Sequence, residues 1–188
     1  MHKKVFNEKC NKTFSDVINA VYFEKKFVKP EDISEVPNGF YQWIMDRSDF
    51  HDIPQTITKI LSQNGNHAAY LCFWKQSSED ESIPFLVQRY ESAVYAYQVE
   101  KENCIPIPVI TVVLYFGKKK WKNSLGTKDI FEKSGDIPEK ILCNSQSYKV
   151  NLVEVASLPR DIREECHCLD FGCDYEEKRI WTIKLITI

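Results

Sequence analysis

Pro108-Val109-Ile110-Thr111-Val112-Val113-Leu114-Tyr115-Phe116, closed by Gly117, is the stretch on which the fold turns. It is apolar except at Thr111, and β-branched and aromatic residues dominate it. Such a run cannot keep one face in water, so it predicts a central strand covered on both faces. Upstream, His67 to Gln76 (HAAYLCFWKQ) reads as a second, largely buried strand. Before it come Ile53 to Leu61 (IPQTITKIL), rich in β-branched residues, and the turn-forming Ser62-Gln63-Asn64-Gly65-Asn66. Together these predict a hairpin. The acidic connector Glu79-Asp80-Glu81 then leads to a helix over Ile83 to Val99, with Leu86, Tyr90, Ala93, Val94 and Tyr97 on one face.

Outward from this centre the signals thin. Phe14, Val17, Ile18, Val21 and Tyr22 fall on one helical stripe, and Thr13 suits the N-cap of that helix. Lys29-Pro30-Glu31-Asp32 and Pro37-Asn38-Gly39 mark loops or tight turns. Phe40 to Asp52 mixes aromatic and charged residues and supports no assignment. Lys149 to Val155 is a further strand by partial alternation, and Leu158 to Glu165 a short charged helix. No internal repeat is present. Helices interleaved with strands in this order predict an α/β fold around a mixed sheet.

Composition narrows the function classes. A chain of 188 residues and 22.0 kDa suits one domain, and 6 Gly, 8 Pro and 13% aromatic residues exclude low-complexity disorder. Lys and Arg total 25 against 27 Asp and Glu, a formal charge of −2, so contact with a polyanion requires a local patch. The longest apolar stretch, Ile105 to Phe116, is broken by two prolines and falls short of the about 20 helical residues a bilayer requires. Met1 to Asn7 has no apolar run behind it, which argues against a signal peptide and for a soluble cytoplasmic chain.

The seven cysteines are odd in number, and five stand singly, at Cys10, Cys72, Cys104, Cys143 and Cys173. In a reducing compartment these are small buried side chains or inert thiols. Cys166, His167, Cys168 and Cys173, with Asp170 and Asp174, have the donor types of a zinc site. Their C-H-C-x4-C spacing lacks the paired knuckles of a ribbon or finger. Neither a Gly-rich phosphate loop nor a G-x-S-x-G elbow occurs.

From about Asn11 to about Leu169 the chain resembles the recombination-promoting nuclease, or putative transposase, family of the PD-(D/E)XK nuclease superfamily. The resemblance rests on Phe14-Ser15-Asp16-Val17-Ile18-Asn19-Ala20, Lys29-Pro30-Glu31-Asp32, and the Gln76, Ile83-Pro84, Arg89-Tyr90 block. Its most specific part is Pro108 to Gly117 followed by Trp121. It implies a restriction-endonuclease-like core, αβββαβ, with a central mixed β-sheet flanked by helices. Residues 1–10 would be an extension and 170–188 an atypical tail, whose last eight residues, Trp181 to Ile188, look strand-like.

The resemblance also implies Mg²⁺-dependent hydrolysis of DNA phosphodiesters, with carboxylates as the hard oxygen ligands such a cation needs. Carried over by position, the first carboxylate is Asp52, with His51 where the family has Arg and Asp49 as a weaker alternative. Asp16 is the helix-borne acid, and Gln76 matches the Gln of the family's Glu-X-Gln signature. Trp74 stands where that signature has its Glu, and an indole N–H only donates. The carbonyl of Lys75 is the remaining oxygen nearby. This predicts an impaired nuclease; the alternatives are a non-catalytic DNA- or protein-binding module on the same fold, or a decayed remnant.

Double-stranded DNA is the expected partner, and a homodimer is possible. Lys118, Lys119 and Lys120, beside Trp121 and Lys122, can neutralise phosphates, although charged runs after strands are commonly solvated turns. Arg89 can hold a phosphate in bidentate fashion or simply be a surface arginine beside a core tyrosine.

Overall fold

The computed structural model describes residues 2–22, 27–48, 56–167 and 169. Its elements are α1 (His2–Val21), β1 (Ile33–Glu35), α2 (Phe40–Ser48), β2 (Thr56–Gln63), β3 (Asn66–Gln76), α3 (Ile83–Glu100), β4 (Val109–Tyr115), α4 (Thr127–Lys133), α5 (Glu139–Leu142), β5 (Asn151–Glu154) and α6 (Arg160–His167). The five strands form one sheet in the order β1-β2-β3-β4-β5. The pairs β1–β2 and β2–β3 are antiparallel, whereas β3–β4 and β4–β5 are parallel. A parallel pair cannot be joined by a hairpin, and α3 supplies the crossover that β3–β4 requires. The fold is thus mixed α/β, consistent with a nuclease-like core, as the sequence predicts.

The central strand runs as expected. In β4, Val109 and Thr111 to Tyr115 are buried, because alternate residues face different helical layers. On one face, Cys10, Phe14, Val17 and Ile18 of α1 and Cys166 of α6 pack against Leu71, Phe73, Val112 and Leu114. There the Phe14 and Phe73 rings stack at 3.7 Å and 6°. On the other face, Phe40 and Ile44 of α2 and Val87, Tyr90 and Val94 of α3 cover Tyr70, Cys72, Trp74, Val113 and Tyr115.

Several boundaries differ from the sequence expectation. Thr13 is not an N-cap: α1 begins at His2, and the Thr13 hydroxyl donates to the Lys9 carbonyl one turn back at 3.1 Å. Cys10 extends the apolar stripe one turn upstream, so the helix has a buried face before Phe14. Phe40 to Ser48 of the unassigned segment form α2, held by Phe40 and Ile44 in the core and by Arg47 over the Trp43 ring at 5.2 Å, and residues 49–52 lie outside the described residues. Strand β5 is shorter than expected because Val155 opens a 3₁₀ turn, and α6 begins only after Pro159. The short elements β1, α4 and α5 carry too few periodic residues to be read from sequence. Residues 53–55 of the expected first hairpin strand lie outside the described residues. Among the described residues, no helix is long and apolar enough to cross a membrane.

A polar row crosses the α3 face of the sheet. Thr58, Cys72 and Thr111 are register neighbours on β2, β3 and β4, and all three are buried. The Thr58 hydroxyl meets that of Tyr90 at 2.7 Å. Burial pushes the Cys72 thiol up to about 12. Burial also lifts the Glu91 carboxyl above its ordinary value of 4.5, and neighbouring Thr111 and Tyr148 offset part of that rise.

A carboxyl group whose pKa rises on folding favours the folded state most below its unfolded value. That contribution is lost as pH climbs through the folded one. The urea midpoint of the native chain is therefore expected to fall as pH rises from about 4.5. Glu91→Gln, which cannot ionise, should show a flatter profile. Parallel profiles for the two proteins would refute this.

Candidate functional site at the carboxyl ends of the central strands

Alternation along β3 decides which side chains share a site. Trp74 and Gln76 point to the α3 side, with Cys72 and Tyr70, while Lys75 points to the α1 side with Phe73. Trp74 is 3% exposed and meets the Tyr90 ring edge-on, with centroids 6.3 Å apart. Its Nε1 donates a long bond of 3.4 Å to Gln76 Oε1, and Gln76 Nε2 donates to the Ser78 carbonyl at 2.8 Å. Lys75 extends over the Phe116 ring, its Nζ 5.8 Å from the centroid.

The residues flanking Trp74 across the sheet are Thr56 on β2 and Val113 on β4. No carboxylate stands in this row. The Thr56 hydroxyl is buried and finds no hydrogen-bond partner among the described residues. A magnesium ion needs several oxygen ligands, of which carboxylates carry the charge. A threonine, an indole and a valine do not supply them, so this row does not fit the metal the resemblance implies. Among the described residues, no group of three or more His, Cys, Asp or Glu side chains is placed to hold a metal. Asp52, with Asp49 and His51, lies outside the described residues.

Asp16 is not brought to Gln76. It lies on α1, over the opposite face of the sheet, and pairs with Lys12 at 2.9 Å. Lys12 also reaches Glu165 of α6 at 2.5 Å. The hydrogen bonds it donates to Glu165 and then Asp16 hold the Lys12 ammonium above its ordinary pKa. Asp16 thus belongs to a clamp between the two helices.

The carboxyl ends of β4 and β5 are more elaborate than the sequence suggests. Tyr115 is buried and meets Trp121 edge-on at 5.0 Å. The phenol lies so close over Gly117 that a Cβ there would sit 2.1 Å from its Cζ. Two carboxylates secure the loop that follows. Glu154, at the end of β5, accepts the Trp121 N–H at 2.7 Å, and Glu79 accepts the Lys122 N–H at 2.8 Å. Burial first, then the charges of Glu79 and Glu154, raises the Tyr115 phenol above its ordinary pKa. Sequence reasoning assigned Glu79 to a solvated connector and gave Glu154 no role. The signal available was Gly117 directly after an aromatic run.

The effect of this anchoring is to present Lys118, Lys119 and Lys120 as an exposed basic turn at the end of the central strand. Arg89 occupies the solvent face of α3, away from the buried Val87, Tyr90 and Val94. The cysteine-rich stretch divides. Cys166 is buried in the core, where desolvation pushes its thiol up to about 12, and His167 packs against the Phe116 ring at 5.4 Å. Cys168 and Cys173 lie outside the described residues.

A mixed sheet, antiparallel on one side of β3 and parallel on the other, with helices on both faces, defines a mixed α/β protein, consistent with a nuclease-like core. The family model for "Putative transposase, YhgA-like" matches residues 49–168, more than half of the chain. The protein belongs to the YhgA-like putative transposase family. No curated protein and no solved structure matches the chain significantly.

The close approach of Tyr115 to Gly117 makes Gly117→Ala a sharp probe. The added methyl must displace a packed ring, and overpacking of that kind costs roughly 1–3 kcal/mol. Chemical denaturation is expected to show that loss; a change below about 0.5 kcal/mol, ordinary for a surface position, would show that the ring moves freely.

Proposed function

We propose that this family member engages double-stranded DNA through Arg89 and the Lys118–Lys120 turn, and that its Mg²⁺-dependent endonuclease activity is impaired or lost. The observation that carries the proposal is the row Thr56, Trp74, Val113, where a buried indole fills the position to which the resemblance assigns a metal-binding acid. The fold remains complete around it: Trp74 is packed on Tyr90 and bonded to Gln76. A family member that retains the scaffold and lacks the acid is best read as a binder rather than a cutter. Arg89 offers bidentate geometry for phosphate, and the three lysines act as point charges.

Cleavage is tested by incubating supercoiled plasmid with the full chain in Mg²⁺ or Mn²⁺. The native chain should leave the plasmid intact, whereas Trp74→Glu, alone or with Thr56→Asp, should gain metal-dependent nicking. Since a buried carboxylate is costly to fold around, the native chain decides the matter. Robust metal-dependent cleavage by the native protein overturns the proposal.

DNA engagement has its own readout. Binding should weaken linearly in log–log form with salt, and replacing Lys118, Lys119 and Lys120 by alanine should lower that slope by about 0.9 for each phosphate the turn no longer neutralises. An unchanged slope would remove the turn from the interface.

A further inference from the structure

A solvent-open cleft of about 420 Å³ lies beside the anchored loop, along the outer side of β5. This lies within the roughly 300–1,000 Å³ typical of small-ligand clefts. Leu152 and Leu158 give it apolar walls, Trp121 and Asn123 line it from the loop, and Lys120 and Glu154 bring charge of opposite sign. The arrangement of these polar groups is specific. Lys120 is exposed, next to Lys118 and Lys119, whereas Glu154 is half-buried. One oxygen of Glu154 is committed to the Trp121 N–H. Its second oxygen and the side-chain amide of Asn123 make no hydrogen bond among the described residues.

We infer that this cleft takes a single unpaired nucleotide of DNA, with its base inward and its phosphate on the lysine turn. The inference rests on the DNA-binding reading above. The cleft's polarity sets the orientation: a carboxylate inside repels phosphate, and a cation at the rim attracts it. A base carrying an amino group can donate to Glu154, while the Asn123 amide offers both a donor and an acceptor to the same edge. Leu152 and Leu158 accommodate the flat faces. In an intact duplex the pairing edge of the base is already engaged and its faces are stacked, so the cleft selects nucleotides that are already unpaired or readily extruded.

The experiment compares the full chain's affinity, by fluorescence anisotropy at low salt, for three labelled duplexes. One is fully paired, one carries a single bulged cytosine, and one carries an abasic residue in that bulge. The cytosine bulge should bind roughly tenfold more tightly than the other two, the scale of one well-held base. Asn123→Ala, and separately Ser157→Trp at the cleft lining, should abolish that preference while leaving affinity for the paired duplex essentially unchanged. Retained paired-duplex binding also reports that each variant is folded. Equal binding of all three duplexes by the native chain, or a preference that survives both substitutions, overturns the inference and leaves the DNA-binding reading standing. Failure to bind any duplex at low salt overturns both.

Discussion

The register between β3 and β4 is the constraint on which the rest depends. Seven pairs, from Tyr70 with Val109 to Gln76 with Tyr115, run in parallel. Because the strands run the same way, the chain must cross over the sheet between them, which places α3 on one face. The opposite face is left for α1 and α6. Both strands also end together, so that Gln76, Tyr115 and the loops after them gather at one edge. Glu79 and Glu154 reach the 121–122 backbone from the loop after β3 and the end of β5 because those ends are already adjacent.

Much of this was legible in the sequence, for a definite reason. The run from Pro108 to Phe116 has no polar face, and a strand without one must be central. The helix after the hairpin announced itself by Tyr90, Val94 and Tyr97, all of which are buried. Where burial is partial the signal failed. Among its described side chains α2 has Phe40 and Ile44 alone fully in the core, and a three-residue edge strand such as β1 has no period to detect. Thr13 misled because a hydroxyl that bonds one turn back looks, in sequence, like one that caps a helix.

The site was less legible than the fold. Spacing along one strand reveals the identity of position 74, but the residues beside it come from β2 and β4 and are fixed only by register. Thr56 and Val113 become its neighbours through pairing across three strands. Likewise, nothing local distinguishes Asp16, in a helix clamp, from an acid directed at the strand ends. Glu79 and Glu154 lie 75 positions apart in the numbering and bind consecutive amides. Charge counting saw two surface acids where the fold uses them to set a loop.

The Lys12–Glu165 contact has a consequence for how the protein is made. It joins residues 153 positions apart, and the buried stripe of α1 relies on β3, β4 and α6 for its cover. At about 5–20 residues per second, ribosomal synthesis leaves roughly 8–30 s between the appearance of Lys12 and that of Glu165. Throughout that interval Phe14, Val17 and Ile18 lack part of their native environment. Helix α1 therefore waits on residues made long after it, and the nascent chain carries an open apolar face throughout that interval.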